Sequence, residues 1–202
     1  MNNNLIKIRT ASEDDAKELL RIYTPYVTDT AITFEYEVPS VDEFADRIKN
    51  TLIRYPYLVA IKDSQIIGYA YASEFKDRAA YDWAVETTIY LDQNHRGQGV
   101  GKKLYTALER VLKKQNILNM NACIAYAPDS DAVTDNDADD DVHLSNASSE
   151  FHQHMGYRKV AHFTKCGYKF GTWYDMIWME KILGEHTAAP ESFIPFSRLW
   201  FP

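Results

Sequence analysis

The stretch AVETTIYLDQNHRGQGVGKKL, residues 84–104, decides the reading of the chain: an apolar, β-branched run ends in a cluster of glycines, and a helical pattern starts directly behind it. Ala84 to Leu91 reads as a strand, Leu104, Leu108, Val111 and Leu112 predict a helix over 99–115, and Ile117 to Tyr126 predicts the next strand. Between strand and helix lie Arg96, Gly97, Gln98, Gly99, Val100 and Gly101. Glycines let a backbone approach a ligand, and the first amides of a helix have no partner within it. The helix dipole adds partial positive charge there, and Arg96, Lys102 and Lys103 add full charges, so the turn suits a pyrophosphate. Two nucleotide signatures do not fit. A Walker A loop needs Gly at 96 and Ser or Thr at 103, where this chain has Arg96 and Lys103, and the dinucleotide fingerprint needs Gly at 102, where it has Lys102. A glycine turn before a helix also serves as a plain connector, because tight turns need Gly whatever they bind.

Upstream, Leu5 to Arg9 alternates as a first strand would, and Thr10 or Ser12 can cap a helix opening with Glu13, Asp14 and Asp15. Ala16, Leu19, Leu20 and Tyr23 continue it, and Pro25 is expected to interrupt it. Ser40 with Glu43 forms a capping-box pattern for a second helix reaching about Thr51. Tyr57 to Ile61 and Ile66 to Phe75 read as strands about a polar turn at Lys62 to Gln65, making a meander with Ala84 to Leu91. Downstream, residues 128–142 are rich in aspartate and are expected to be a solvated loop insertion. Asp135, Asp137 and Asp139 invite a calcium reading, but Asp140 stands where an EF-hand loop wants Gly and Asn146 where it wants Glu, so no metal is expected. Ala147 to Met155 then reads as a short helix stopped by Gly156, followed by strands at Tyr157 to Cys166 and Thr172 to Lys181. The tail, residues 184–202, mixes prolines with Phe193, Phe196, Leu199, Trp200 and Phe201, and is expected to pack on the domain or on a partner subunit.

With 202 residues of which 46% are hydrophobic, the chain has material for one substantial core, and a single domain over 1–183 is expected. A formal charge of −7 opposes sequence-independent nucleic-acid binding, which needs a basic surface. No apolar run approaches the ~20 residues that span a bilayer, and the start MNNNLIKIRT lacks a signal-peptide core, so no membrane partner is expected and the cytoplasm is the default compartment. Cys123 and Cys166 form no CxxC pattern and read as a reduced, buried pair without a catalytic role.

The spacing Arg96, Gly99, Gly101 behind a strand resembles the acetyl-CoA pyrophosphate loop of the GNAT superfamily of N-acetyltransferases. The run Phe75-Lys76-Asp77-Arg78-Ala79-Ala80-Tyr81-Asp82-Trp83 with Glu86 resembles the bacterial phosphinothricin N-acetyltransferase family. So do Thr33-Phe34-Glu35, Tyr55-Pro56-Tyr57-Leu58-Val59, Phe151-His152 with Met155-Gly156-Tyr157, and Gly167-Tyr168-Lys169-Phe170-Gly171. These motifs occur in order over about residues 5–182. The resemblance implies an α/β GNAT fold, a mixed and largely antiparallel sheet flanked by helices, with acetyl-CoA as cosubstrate entering where two strands separate. It also implies a small amine acceptor of the phosphinothricin, methionine sulfone or methionine sulfoximine type, and a homodimer.

The resemblance further implies roles. Glu86 falls at the general-base position, since an ammonium must lose a proton before attack; without the resemblance it reads as a strand carboxylate paired with a cation. His152 falls where many relatives place a tyrosine general acid, with base and substrate-orienting roles open. Thr88, Ile89 and Tyr90 match the splayed strand that holds the thioester arm. Ser145 stands at the family's Asn position, with Asn146 one residue later, and Ser148 matches a cofactor-contacting serine. Phe34, Lys76, Arg78 and Tyr81 match the acceptor pocket, where two cations and two aromatic rings suit a compact anion. Competing readings are a polyamine, aminoglycoside or protein N-terminus as acceptor, the polycations being disfavoured by Lys76 and Arg78, and a non-catalytic CoA-binding sensor.

Overall fold

Eleven regular elements organise the computed structural model, which describes residues 5–127 and 143–199. They are β1 (Lys7–Thr10), α1 (Ala16–Asp29), α2 (Val41–Arg54), β2 (Tyr57–Lys62), β3 (Gln65–Glu74), β4 (Ala84–Leu91), α3 (Val100–Lys114), β5 (Asn119–Tyr126), α4 (Ala147–His154), β6 (Arg158–Lys169) and β7 (Thr172–Ile182). The strand order is β1-β2-β3-β4-β5-β7-β6. The β4–β5 pairing is parallel, whereas β1–β2, β2–β3, β3–β4 and β6–β7 are antiparallel, as the expected mixed α/β fold requires. The aspartate-rich segment, 128–142, and Trp200 and Phe201 of the tail lie outside the described residues. The chain forms two compact units: residues up to Tyr23 with Pro39–Asn121 and the chain from Ile182 onward make the first, and Thr24–Val38 with Ala122–Lys181 make the second.

In the first unit, local chemistry sets the element ends. Asp15 accepts from the Ser12 amide at 2.8 Å and from both ends of the Arg9 guanidinium at 2.6 and 2.7 Å, which fixes the entry to α1. Ser40 Oγ accepts from the Glu43 amide at 3.1 Å and caps α2. Asp63 and Ser64, both with positive φ, make the two-residue turn between β2 and β3. Asn116, at φ 65°, ends α3: its amide bonds the Lys113 carbonyl and the Ile117 amide bonds the Leu112 carbonyl, so Ile117 belongs to the helix stop and β5 starts later than expected. Leu104, Tyr105, Leu108, Val111 and Leu112 of α3 are fully buried, and burial of such a side chain contributes about 2 kcal/mol.

The second unit has its own core of Ala31, Ala125, Leu144 and Tyr174, with Phe34 packed against it. Gly167 lies under Phe34, where a Cβ would stand 2.3 Å from the Phe34 ring, so two motifs far apart in sequence meet at a position where any larger residue must displace that ring. Strand β6 runs on past Cys166 to Lys169 through a bulge, in which Lys165 has φ 50° and its amide donates to Asp175 at 2.8 Å.

Two expectations need correction. Helix α1 continues through Pro25 to Asp29; the proline removes one helical hydrogen bond, but Tyr26 and Val27 beyond it are buried, and their burial outweighs that loss. Cys123 is half-buried, and Cys166 lies in the bulged part of β6, where residues 162–166 are all exposed, so they are not a buried pair. Of the two places expected for the tail, the described part takes the domain: Ile194 donates to the Gln115 carbonyl at 3.1 Å, Ser197 Oγ to the Ile53 carbonyl at 2.8 Å, and the Phe193 ring lies 5.6 Å from that of Tyr55.

Candidate active site

The glycine turn is built on Asp92. Its carboxylate accepts from the Asn94 amide at 2.9 Å and from Arg21 at 2.8 Å, and its own amide donates to the Ile67 carbonyl at 2.9 Å. Burial alone would raise this carboxyl, but Arg21 and the Asn94 amide hold it below the usual range. Beyond it Gly97 and Gly99 adopt φ of 72° and 76°, and a Cβ on either would meet nothing within 4 Å. The glycines therefore answer a backbone conformation, and the space above them is open. Gly99 caps α3, and the Gly99 carbonyl takes the Lys103 amide at 3.2 Å, so the earlier first-turn amides of α3 have no helical acceptor. Gln98 is held from both sides, donating to the Asn94 carbonyl and accepting from Lys62. Arg96 is exposed, and Val100 and Gly101 are buried.

Strand β4 leaves this turn toward the candidate base. Its pairing with β5 covers only Ala84↔Asn119, Val85↔Met120 and Glu86↔Asn121, after which the register ends. Thr87 Oγ1 donates to the Asn121 carbonyl at 3.0 Å, and Asn121 Nδ2 donates to the Val85 carbonyl at 3.2 Å. Tyr105 of α3 hydrogen-bonds Thr87 from the core side. No local pattern marks Asn121, Thr87 or Tyr105 in the sequence beyond the polar Asn121 inside an otherwise largely apolar strand. Thr88, Ile89 and Tyr90 follow the end of the ladder and are half-buried. Glu86 is half-buried, and burial raises its carboxyl above the ordinary range, with the Lys76 ammonium offsetting part of that.

Lys76, Arg78 and Tyr81 lie on the exposed loop between β3 and β4, in the same unit as Glu86. The Phe75 and Tyr81 rings meet at 6.0 Å, the Lys76 ammonium lies 5.4 Å from the Phe75 ring, and the Tyr81 amide donates to the Arg78 carbonyl. Phe34, Ser145, Ser148 and His152 belong to the second unit. Ser145 is exposed. Asn146 instead clasps Ala127, with its Oδ1 accepting from the Ala127 amide at 3.2 Å and its Nδ2 donating to the Ala127 carbonyl at 2.9 Å. Ser148 is half-buried, and its carbonyl lies 2.7 Å from His152 Nδ1. A carbonyl only accepts, so Nδ1 carries the hydrogen and Nε2 presents a lone pair. His152 is 3% exposed, and burial lowers its pKa to about 4. It is thus neutral near pH 7 and an acceptor at Nε2, which fits a base or an orienting group better than an acid. Among the described residues no group of three or more His, Cys, Asp or Glu is placed to hold a metal.

A family model described as an acetyltransferase (GNAT) domain matches residues 8–178. The chain belongs to the GNAT acetyltransferase family. It is 28% identical over 194 residues to a phosphinothricin N-acetyltransferase of Streptomyces viridochromogenes, covering 96% of each chain. It is 27% identical over 186 residues to an L-methionine sulfoximine/L-methionine sulfone acetyltransferase of Salmonella typhimurium, covering 92% of this chain and 98% of that one. A crystal structure of a GNAT superfamily phosphinothricin acetyltransferase from Sinorhizobium meliloti in complex with AcCoA superposes with a TM-score of 0.80 at 32% identity, over 92% of this chain and 93% of that chain. This GNAT member is an N-acetyltransferase enzyme, with the sheet and helices of its structural neighbours.

Proposed function

We propose that the enzyme moves the acetyl group of acetyl-CoA to the α-amine of a compact, anionic, amino-acid-like acceptor by direct attack. The observation that carries this reading is half-buried Glu86 on β4, within electrostatic reach of the Lys76 ammonium on a loop that also bears Arg78. A carboxylate held partly out of water is a better proton acceptor for an ammonium, and two exposed cations attract the acceptor's acid group. The turn 96–101 fits the cosubstrate's pyrophosphate: its positive-φ glycines stand under open space, and the α3 amides and Arg96 supply donors. Thr88, Ile89 and Tyr90, past the point where β4 leaves β5, are the backbone positions for the thioester arm, and Ser148 is a further contact. Ser145 keeps a place among the cofactor contacts, although Asn146 makes the structural link in that segment. Phe34 supplies an apolar wall, and His152 acts as a hydrogen-bond acceptor through Nε2.

The same reading makes the enzyme a cytoplasmic homodimer, one domain over 1–183 followed by the tail, which takes small molecules rather than nucleic acid or membrane as partners. The net charge of −7 supports the exclusion of nucleic acid, and among the described residues no helix is long and apolar enough to cross a membrane. Exposed Phe163, Tyr168 and Trp173 on the β6–β7 hairpin are the apolar surface that a second copy would cover. Sedimentation equilibrium tests the dimer, and a monomer at micromolar concentration would overturn it.

The activity is tested by thiol release from acetyl-CoA with phosphinothricin, methionine sulfone, methionine sulfoximine, spermidine and a peptide amine offered separately, with products confirmed by mass. Acetylation of the amino-acid analogues and not of spermidine is expected. Turnover with spermidine or the peptide alone would overturn the acceptor class.

A further inference from the structure

Trp83 ties the acceptor loop to the C-terminal tail. Its carbonyl accepts from the Leu118 and Asn119 amides at 2.8 and 3.0 Å, and its indole Nε1 donates to the Glu191 carbonyl at 2.7 Å. The tail is fastened on both sides of that bond. Fully buried Gln115 donates to the Ile194 carbonyl at 2.8 Å, Asn116 donates to the Ser192 carbonyl at 2.8 Å, and His186 Nε2 lies 2.8 Å from Asn119 Oδ1. Between loop and tail is a cavity of about 210 Å³, walled by Tyr81, Trp83 and Ala84 on one side and His186, Thr187 and Pro190 on the other.

Its position relative to the candidate base follows from strand alternation. Ala84 and Glu86 lie on the same face of β4, about 7 Å apart, while Val85 and Thr87 turn to the opposite, buried face. Asn119, opposite Ala84, and Asn121, opposite Glu86, repeat that spacing on β5. The cavity therefore adjoins the strand pair next to Glu86. At about 210 Å³ it lies below the ~300–1,000 Å³ of pockets that hold whole drug-sized ligands, and it suits a short side chain. Its walls are mostly apolar, with the His186–Asn119 pair as a polar end, which matches an apolar stem carrying one polar terminus.

We propose that this cavity receives the side chain of the acceptor whose amine meets Glu86, so that tail residues 186–190 determine acceptor specificity; this rests on the acceptor reading given above. The tail lies beyond the segment matched by the family model, residues 8–178, so this wall is supplied by sequence outside that match.

The test uses the ¹⁵N-labelled full chain, with the Trp83 indole N–H resonance assigned through Trp83→Phe. L-Methionine sulfone should shift that resonance and L-alanine, which has no stem to insert, should leave it in place. Thr187→Phe fills the cavity from an exposed tail position whose side chain makes none of the tail's hydrogen bonds. It should suppress the shift and raise the KM for methionine sulfone at least tenfold, with the KM for acetyl-CoA and the melting temperature unchanged. A resonance that stays in place at saturating sulfone, or that moves equally in Thr187→Phe, would overturn the proposal even if turnover is normal. A shift abolished by Thr187→Phe without turnover of any acceptor would uphold the cavity and sink the acetylation reading.

Discussion

The Lys169 ammonium donates to the carbonyls of Val27, Thr30 and Thr33, each at 2.8 Å, so all three of its N–H groups are used although the residue is 2% exposed. Burial lowers its pKa, but the three carbonyls near the end of α1 stabilise the charge. Lys169→Met should therefore cost about 3 kcal/mol in urea unfolding, because it leaves buried carbonyls without a donor; a loss under 1 kcal/mol would mean that water replaces the ammonium. Glu86 is the contrasting case, a carboxyl that burial raises and Lys76 only partly lowers. Its protonation should place the acid limb of kcat/KM above the ordinary glutamate value of ~4.3, with activity lost as pH falls through it. Glu86→Gln should lower kcat by roughly 10²- to 10⁴-fold near neutral pH, with partial recovery at high pH where the amine is already deprotonated. An unchanged pH profile would remove Glu86 from proton transfer. Glu86 was legible from its motif, but its raised carboxyl was not, since that depends on what covers it.

At the scale of elements, the glycine turn and α3 act as one piece because Asp92 and Arg21 hold the loop's base and Tyr105 with Thr87 joins the helix to β4. Arg21→Met removes that anchor without touching the turn. It should raise the KM for acetyl-CoA several-fold and leave the acceptor KM unchanged, and equal changes in both would refute a local role for Asp92. Gly99→Ala, at φ 76°, should cost on the order of 1 kcal/mol in stability from backbone strain alone, because its Cβ would meet no neighbour. The loop and helix were legible because glycine chemistry and helical periodicity are local. The short β4–β5 pairing was not, since the separation of two strands is set by partners such as Asn121 that lie 35 residues from Glu86 in the chain.

For the whole molecule, the pH dependence of stability carries the signature of His152. Its folded pKa of about 4 lies below the unfolded value of ~6.5, so the folded state binds fewer protons between those limits. Stability should be complete above pH 6.5 and fall by on the order of 3 kcal/mol as the pH drops to about 4. His152→Phe should flatten that slope in denaturant titrations, and an unaltered slope would show that His152 is accessible to protons in the folded state. Asp15 and Asp92 have depressed folded values, so their contribution is present above ~3.9 and is lost as pH falls through the lower folded values. The alternation of strands and helices, the caps at Ser40 and Ser12, the glycine turn and the collinear motifs can be read from the chain alone, because each rests on the periodicity or turn chemistry of neighbouring residues. The passage of α1 through Pro25, the folding of the tail onto Trp83 and Gln115, the three carbonyls served by Lys169 and the neutral acceptor state of His152 come from packing alone. Each of these depends on burial and on partners distant in the chain, which no local pattern encodes.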